Sequence, residues 1–312
     1  MNKATMVLLA LLGLGLTAGP SSASTQAQQK KKAPVVKKHP AQKQLTRKRG
    51  GKSAMQDTSH LVVQSAAALV LDQSTGTILF EKNAGAVLPI ASITKLMTAM
   101  VTLDGRPNLS EMLTIGEDDV DTVKGTRSRL RVGTNLNREE MLRLALMSSE
   151  NRAASSLASN FPGGREAFVA AMNRKANELG LQDTQFSDPT GLTAANVSSA
   201  RDLVRLVAIA HQYPLIREFT TAIEYDVKIG GRTQAFHNTN SLVKSATWEI
   251  GLSKTGYISE AGKCLVMQAW LNNKPTIIVL LDSLGRMTRI GDANRIKRWV
   301  ETASLQRLPI SG

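Results

Sequence analysis

The chain has 312 residues, of which 42% are hydrophobic, so it can bury a substantial core and is not a disordered protein. Its net charge of +14 is unevenly distributed: residues 1–53 contain eleven Lys or Arg and no acidic residue, which leaves 28 basic and 25 acidic side chains in the rest. The single cysteine, Cys264, excludes an internal disulfide framework and any metal site built from several cysteines.

Residues 1–23 have the pattern of a secretory signal peptide. Lys3 precedes an apolar run from Met6 to Leu16, and Ser21–Ala23 supply the small residues of a cleavage site. We therefore predict that this segment is removed and that the protein is exported. An uncleaved membrane anchor is the alternative, although the run is about half of the ~20 residues that a membrane span needs.

Residues 24–58 form a basic, low-complexity segment that we predict to be disordered. It is rich in Gln, Lys, Ala and Pro and includes Lys30–Lys32 and Arg47–Arg49, a composition that cannot build a core. Nucleic acid is the usual partner of such a run, but a secreted chain does not meet it. Two alternatives remain, namely contact with an anionic membrane or cell-wall surface and a solvated tether. The folded domain is expected over residues 59–312.

The folded part opens with a predicted β-hairpin. Its strands are the apolar runs Ala66–Asp72 and Thr77–Glu81, joined by the turn Gln73–Gly76. The hairpin leads into Pro89–Met100, which predicts a buried helix from near Ser92 to about Leu103, before the helix breakers Gly105 and Pro107.

Ser92 and Lys95 are the most informative residues of that helix, because a hydroxyl and an amine occupy positions where core residues are expected. Three residues apart, they lie on one helix face, where the amine can take the proton of the hydroxyl and make Ser92 a nucleophile. The spacing alone is a weak signal, since Ser241 and Lys244 share it.

The middle of the chain is predicted to be mostly helical, with an inserted helical lobe over roughly residues 104–200. Three acidic residues, Asp118, Asp119 and Asp121, have no ligand-loop pattern and are expected to form a solvated surface. The predicted helices are one capped by Asn137 with Glu140 and ending at Ser148–Asn151, one over Gly164–Leu179, and one over Ala200–His211 capped by Ser199 with Asp202.

The last third returns to strands. The runs Trp248–Tyr257, Leu265–Leu271 and Pro275–Asp282 are joined by short turns, which predicts antiparallel neighbours, and Asp292–Thr302 predicts a closing helix. Cys264 falls at the start of the second strand and is expected to be a buried, unreactive thiol.

Three motifs now occur in order, and together they are far more specific than any one. They are Ser92 with Lys95, Ser149 with Asn151, and Lys254-Thr255-Gly256, a set typical of serine β-lactamases and penicillin-binding proteins. The only departure is Glu150, where the pattern has Asp. Through the segments ASITKLMTAM, LALMSSENRAA, PTGL and KTG, the chain after about residue 60 resembles the low-molecular-weight penicillin-binding proteins, and among them the penicillin-binding protein 7 type of D-alanyl-D-alanine endopeptidase.

The resemblance implies an α/β (α+β) fold of the serine β-lactamase/DD-peptidase type, in which an antiparallel sheet of about five strands is flanked by helices and carries an inserted helical lobe. The order of the predicted elements agrees, since strands begin and end the chain around a helical middle. The site would lie between the lobes.

Acyl transfer at neutral pH needs a deprotonated serine, a proton carrier to the leaving amine, and donors for the oxyanion. Lys95 is the expected base, provided that burial or a second cation such as Lys254 lowers its pKa. Ser149 is expected to relay a proton to the leaving nitrogen, and Asn151 to orient Lys95 and bind a substrate amide. No metal or cofactor is expected.

The third motif is expected to bind substrate. Lys254 and Thr255 suit a carboxylate on the leaving side of the scissile bond, and Gly256 would let the substrate backbone approach the strand. By resemblance, the backbone N–H groups of Ser92 and Tyr257 form the oxyanion hole. None of the histidines is spaced as a zinc ligand or triad base.

The leading hypothesis is a periplasmic serine peptidase that cuts D-alanyl cross-links in peptidoglycan and is acylated by β-lactam antibiotics. A carboxypeptidase that removes terminal D-Ala shares all three motifs. A β-lactamase is less favoured, because the turn at Phe186–Leu192 offers only Asp188 and no Glu to activate the deacylating water. A non-catalytic wall-binding protein is the hypothesis from another class, and the presence of every catalytic side chain disfavours it.

Overall fold

A computed structural model describes residues 61–285 and 287–305, with side chains as far as residue 302. The predicted signal peptide, residues 1–23, and the predicted basic tail, residues 24–58, lie outside this part of the chain.

The described residues contain eleven strands and seven α-helices. The strands are β1 (Ala67–Asp72), β2 (Thr77–Lys82), β3 (Leu88–Pro89), β4 (Met112–Thr114), β5 (Asn135–Asn137), β6 (Val197–Ser198), β7 (Glu224–Ile229), β8 (Arg232–His237), β9 (Glu249–Ile258), β10 (Gly262–Leu271) and β11 (Lys274–Ser283). The helices are α1 (Lys95–Asp104), α2 (Arg138–Met147), α3 (Asn151–Ser159), α4 (Gly164–Glu178), α5 (Ala200–Ala210), α6 (Pro214–Thr221) and α7 (Thr288–Leu305), and 3₁₀ helices cover Ala91–Thr94, Glu117–Asp119 and Ser241–Lys244.

A five-stranded antiparallel sheet forms the centre of the fold, in the order β2-β1-β11-β10-β9. The first and last strands of the chain are therefore neighbours, with Ala67 opposite Leu281 and Asp72 opposite Thr276. The predicted α/β class with a sheet of five antiparallel strands is confirmed. Strand β9, which carries the Lys254-Thr255-Gly256 motif, lies at an edge of this sheet.

Both faces of the sheet are buried, because successive side chains of a strand point to opposite faces. In β11, Ile277 and Val279 pack into a large core with α1 and α5, whereas Ile278 and Leu280 pack on the other face with Ile296 of α7. Strands covered on both sides read as continuous apolar runs, which is why the sequence revealed them.

Two predicted helix caps are confirmed in the described residues. The Asn137 side chain accepts a hydrogen bond from the Glu140 amide at 2.8 Å while the Glu140 carboxylate accepts from the Asn137 amide at 3.0 Å. The Ser199 hydroxyl accepts from the Asp202 amide at 3.2 Å. These caps satisfy donors that the first turn of a helix leaves unpaired and so fix where α2 and α5 begin.

The expectation of a solvated surface is wrong for Asp119. Its carboxylate is buried and accepts hydrogen bonds from the Ser155 hydroxyl at 2.7 Å and from Arg165 at 3.3 Å. A buried carboxylate needs such partners, and both come from helices that follow Asp119 by more than thirty residues. Asp118 is exposed, as expected.

The helices α2, α3 and α4 and the small pair β4–β5 lie between α1 and α5 in the sequence, so the motif at Ser149 comes from a different part of the fold than β9.

Within the described ranges, none of the helices combines the length and the apolar character that crossing a membrane requires.

Candidate active site

Ser92 lies in the 3₁₀ turn Ala91–Thr94, which continues directly into α1. The α-helix thus begins at Lys95, three residues later than predicted. Ala91 has a left-handed backbone (φ 47°) that few non-glycine residues adopt, and its carbonyl accepts a hydrogen bond from the Thr94 hydroxyl at 2.7 Å. A strained backbone conformation of this kind is kept only where the surrounding contacts fix it, as they do at many functional sites.

The Lys95 amine is completely buried and has three polar neighbours. Its Nζ lies 2.8 Å from Ser92 Oγ, 2.7 Å from Asn151 Oδ1 and 2.6 Å from the Thr190 carbonyl oxygen. The two carbonyl-type oxygens can only accept hydrogen bonds, so a neutral amine donates its two N–H groups to them and directs its lone pair at the Ser92 hydroxyl.

Burial lowers the pKa of Lys95 to about 7, although the negative charges of Asp188 and Glu150 act in the opposite direction. At neutral pH a large fraction of the amine is therefore uncharged. This arrangement can take a proton from Ser92, which is the chemistry predicted from the spacing.

A second buried lysine holds Ser149. Lys254 Nζ donates a hydrogen bond to Ser149 Oγ at 2.8 Å and to the Thr255 carbonyl at 3.0 Å. Burial, and then the charges of Lys95 and Arg289, place the pKa of Lys254 well below its ordinary value. Ser149 itself has φ 61°, in the sharp connection between α2 and α3.

The Asn151 side chain contacts both the candidate base, Lys95, and the loop that contains Thr126. Its Oδ1 accepts from Lys95, and its Nδ2 donates to the Thr126 hydroxyl at 3.1 Å. The predicted contact with Lys95 is present, and a second N–H of the side-chain amide remains for a substrate carbonyl.

Strand β9 brings the third motif to the same place. The Thr255 hydroxyl lies 2.6 Å from the Thr239 hydroxyl, and the Tyr257 side chain is 60% exposed at the strand edge. A Cβ on Gly256 would stand 2.9 Å from the Ile90 carbonyl oxygen and 3.1 Å from the Ser92 amide nitrogen. The missing side chain thus makes room for the turn that carries Ser92, whereas the sequence suggested that it makes room for substrate.

All eight residues predicted from the sequence therefore lie in one cluster, between the edge of β9, the start of α1 and the connection from α2 to α3. The sequence profile of the peptidase S11 family, described as D-alanyl-D-alanine carboxypeptidase, matches residues 53–285. The chain belongs to the peptidase S11 family.

Three curated relatives, from Pseudomonas aeruginosa, Escherichia coli and Haemophilus influenzae, carry the name D-alanyl-D-alanine endopeptidase. The protein from Pseudomonas aeruginosa is 50% identical over 247 residues, which cover 78% of this chain and 80% of the relative. The protein from Escherichia coli is 45% identical over 249 residues, which cover 79% and 80%. Among solved structures, the DD-transpeptidase of Streptomyces K15 superposes with a TM-score of 0.72 at 28% identity and covers 77% of this chain and 98% of its own.

Sequence reasoning missed two groups of this S11 site. The Thr190 carbonyl, which binds Lys95, is a backbone group that no side-chain pattern reveals, although the PTGL segment marks its turn. Arg289 is half-buried at the start of α7 and donates to the Gly256 carbonyl at 2.9 Å and the Cys264 carbonyl at 3.1 Å. It is a further basic side chain next to the Lys254-Thr255-Gly256 motif, and no local feature of the sequence distinguishes it from other arginines.

The turn that presents Thr190 is built by Asp188. The Asp188 carboxylate accepts hydrogen bonds from the amides of Thr190, Gly191 and Thr193 and from the Thr190 hydroxyl, at 2.6–3.1 Å. Gly191, at φ 83°, packs so closely that a Cβ would overlap the Ala91 carbonyl. Both oxygens of Asp188 are therefore occupied by its own turn.

Cys264 lies on β10 and is fully buried, and burial raises the pKa of its thiol to about 11. The thiol is protonated at neutral pH and shielded from solvent. The prediction that Cys264 is buried is confirmed, and its lack of reactivity stays a prediction.

Proposed function

We propose that the protein is a serine D-alanyl-D-alanine endopeptidase that hydrolyses D-alanyl cross-links of peptidoglycan through an acyl-enzyme on Ser92, and that β-lactams acylate the same residue. The observation that carries the proposal is the position of the Lys95 amine, 2.8 Å from Ser92 Oγ with its two N–H groups committed to carbonyl oxygens. With the pKa of Lys95 at about 7, the amine is a base at physiological pH.

In the proposed reaction, Lys95 takes the Ser92 proton while Oγ forms a bond to the D-alanyl carbonyl carbon. The amides of Ser92 and Tyr257 stabilise the oxyanion. The C–N bond then breaks, and the proton that Lys95 took passes through the Ser149 hydroxyl, which Lys254 binds, to the leaving nitrogen. Water attacks the resulting ester and releases the peptide from Ser92 with a free carboxylate.

The leaving side of the site is cationic, which suits the substrate. Lys254 donates to the Thr255 carbonyl and Arg289 to the Gly256 carbonyl, and together these basic side chains favour a carboxylate next to the scissile bond. A D-alanyl-D-amino-acid linkage carries such a carboxylate, and so does a β-lactam.

A carboxypeptidase that removes terminal D-Ala is the second candidate, because the family profile carries that description. Purified cross-linked dimeric muropeptides and monomeric pentapeptides, digested side by side, separate the two activities. We expect dimers to become monomers and the Ser92→Ala variant to leave them intact. Loss of D-Ala from pentapeptides with no cleavage of dimers would favour the carboxypeptidase.

A β-lactamase would need a group that activates water for fast deacylation. Both oxygens of the Asp188 carboxylate accept hydrogen bonds from its own turn, which supports a long-lived acyl-enzyme with penicillin. Continuous hydrolysis of penicillin at many turnovers per minute would contradict this proposal.

We further propose that the protein acts in the periplasm after residues 1–23 are removed, and that its basic tail contacts anionic membrane or cell wall. The composition of residues 24–52 supports the second point. Deleting these residues is expected to weaken sedimentation with cell wall or anionic vesicles at low salt and to leave cleavage of soluble substrate unchanged. Unchanged sedimentation would favour the tether.

A further inference from the structure

A basic groove of about 690 Å³ lies outside the cluster described above, between the loop before β5 and the β7–β8 hairpin. None of the described side chains that line it is acidic. We call it the arginine groove after its three basic residues, and its polar lining is Arg129, Arg131, Thr134, Asn135, Arg232 and Gln234.

Two of the three guanidinium groups have no partner among the described residues. The side chains of Arg131 and Arg232 are exposed, and neither forms an ion pair or a hydrogen bond with another described side chain. Arg129 is fixed, since it donates to the Ala235 carbonyl at 2.7 Å and stacks 3.8 Å above the Phe236 ring. Like charges that share a groove repel each other, so the groove favours an anionic occupant.

The groove begins beside the cationic end of the active site. Arg129 lies 3.8 Å from the carboxylate of Glu150, the residue that follows Ser149. Its stacking partner, Phe236, comes three residues before Thr239, whose hydroxyl contacts the Thr255 hydroxyl at 2.6 Å. These contacts place the arginine groove next to the residues that carry Ser149 and Thr255.

We propose that the arginine groove binds the peptide strand that leaves during cross-link hydrolysis, an acidic peptide whose free carboxylates pair with Arg131 and Arg232. The inference rests on the proposed function. A carboxypeptidase releases a single amino acid, which ends at Thr255, whereas an endopeptidase releases a whole peptide that must continue beyond it. The planar guanidinium binds carboxylates through two parallel hydrogen bonds, which gives such a groove both affinity and direction.

The test uses the double variant Arg131→Gln/Arg232→Gln, in which two exposed side chains lose their charge. We expect kcat/KM for a cross-linked dimer to fall about tenfold, since each exposed charged contact contributes modestly. The rate of acylation by penicillin, which has no leaving strand, stays unchanged. Arg174→Gln is the matched control, because Arg174 is an exposed arginine on α4 outside the groove.

A dimer whose leaving strand is amidated at every carboxylate except the one next to the scissile bond, which Lys254 and Thr255 are proposed to bind, sharpens the experiment. The wild-type protein is expected to cleave it about tenfold more slowly than the free acid, and the double variant to treat both alike, because the two changes remove one interaction. Equal effects of amidation on both proteins would overturn the assignment of the groove to the leaving strand.

The remaining outcomes separate the two proposals. If the wild-type protein cleaves dimers and the double variant does so equally well, the groove inference fails and the proposed function stands. If the variant loses dimer cleavage and penicillin acylation together, the arginines support the fold of the site, and the inference also fails. If the variant instead loses binding to anionic phospholipid vesicles with unchanged cleavage, the groove faces a lipid surface. A wild-type protein that cleaves no dimer removes the proposed function itself, and this inference with it.

Discussion

Two Ser–Lys pairs with the same spacing lie in this chain, and their surroundings differ completely. Both involve 3₁₀ turns, Ala91–Thr94 for Ser92 and Lys95, and Ser241–Lys244 for the other pair. Lys95 is fully buried, with Nζ at 2.8 Å from its serine. Ser241 and Lys244 are both exposed, and no hydrogen bond joins their side chains within the described structure.

The comparison shows that the spacing brings a hydroxyl near an amine but does not make the amine a base. Lys95 becomes one because Asn151 and Thr190, 56 and 95 residues further along the chain, accept its N–H groups while the core excludes water. The basicity of Lys95 therefore depends on its tertiary contacts and not on its spacing from Ser92.

The largest effect on the acylation rate is expected from substitution of Lys95, with Lys244 as its comparison. Lys95→Ala removes the amine that lies 2.8 Å from Ser92 Oγ, and general-base catalysis of this kind contributes roughly 10²–10⁴-fold. We expect acylation by penicillin, followed by stopped-flow fluorescence, to slow by about 10³-fold or more. Lys244→Ala is the matched control and should leave the rate unchanged. If penicillin acylated the Lys95→Ala and Lys244→Ala variants at equal rates, Lys95 would not be the base.

Ser149 is expected to have the next largest effect. Ser149→Ala removes the hydroxyl that Lys254 binds at 2.8 Å, and we expect turnover of a cross-linked dimer to fall about 10²-fold. The neighbouring Ser148 hydroxyl donates to the Leu144 carbonyl at the end of α2, so Ser148→Ala serves as the control with turnover retained. A larger loss in Ser148→Ala than in Ser149→Ala would contradict the proton-relay role.

The pH dependence of acylation reports the state of Lys95. Its amine must be neutral to act as a base, and the pKa of Lys95 is about 7. The neutral fraction falls tenfold for each pH unit below that value, so the rate should rise with pH and level off above about pH 7. A rate that keeps rising towards pH 10 would mean that the Lys95 amine is still charged at neutral pH.

A smaller effect is expected from the turn that binds Lys95. Asp188→Asn weakens the hydrogen bonds that fix the Thr190 carbonyl, and we expect acylation to slow by about tenfold. Asp183→Asn is the control, because no hydrogen bond of its carboxylate is found in the described residues. An unchanged rate in Asp188→Asn would show that the turn holds its position without the carboxylate.

Much of the fold could be predicted, because its central strands and two helix caps have local signals. The apolar runs that became β1, β10 and β11 are buried on both faces, and the Asn137 and Ser199 caps act within a few residues of the chain. Local patterns are the information that a single sequence carries most directly.

Other elements escaped prediction for physical reasons. The β7–β8 hairpin is largely exposed, so few of its positions carry an apolar signal. Helix α3 begins at Asn151, where the sequence suggested only the end of α2. Helix α7 begins at Thr288, before the expected Asp292, whose carboxylate accepts a hydrogen bond from the Ser65 amide at 2.8 Å, 227 residues earlier in the chain.

The candidate site, like the fold, could be predicted only in part from the sequence. The side chains of the three motifs were found from the sequence, because their types and order are specific. Their environment was not, since Thr190 acts through its backbone, and the reason for Gly256 appears only when β9 meets the turn at Ser92. Long-range contacts of this kind leave no local pattern to detect.

The central claim is that Ser92, and not Ser241, is the nucleophile. It is tested most directly by the intact mass of the protein after incubation with penicillin. The wild-type protein and the Ser241→Ala variant should each gain the mass of one penicillin, on the peptide that contains Ser92, and the Ser92→Ala variant should gain none. An adduct that persists in Ser92→Ala, or disappears in Ser241→Ala, would contradict the assignment.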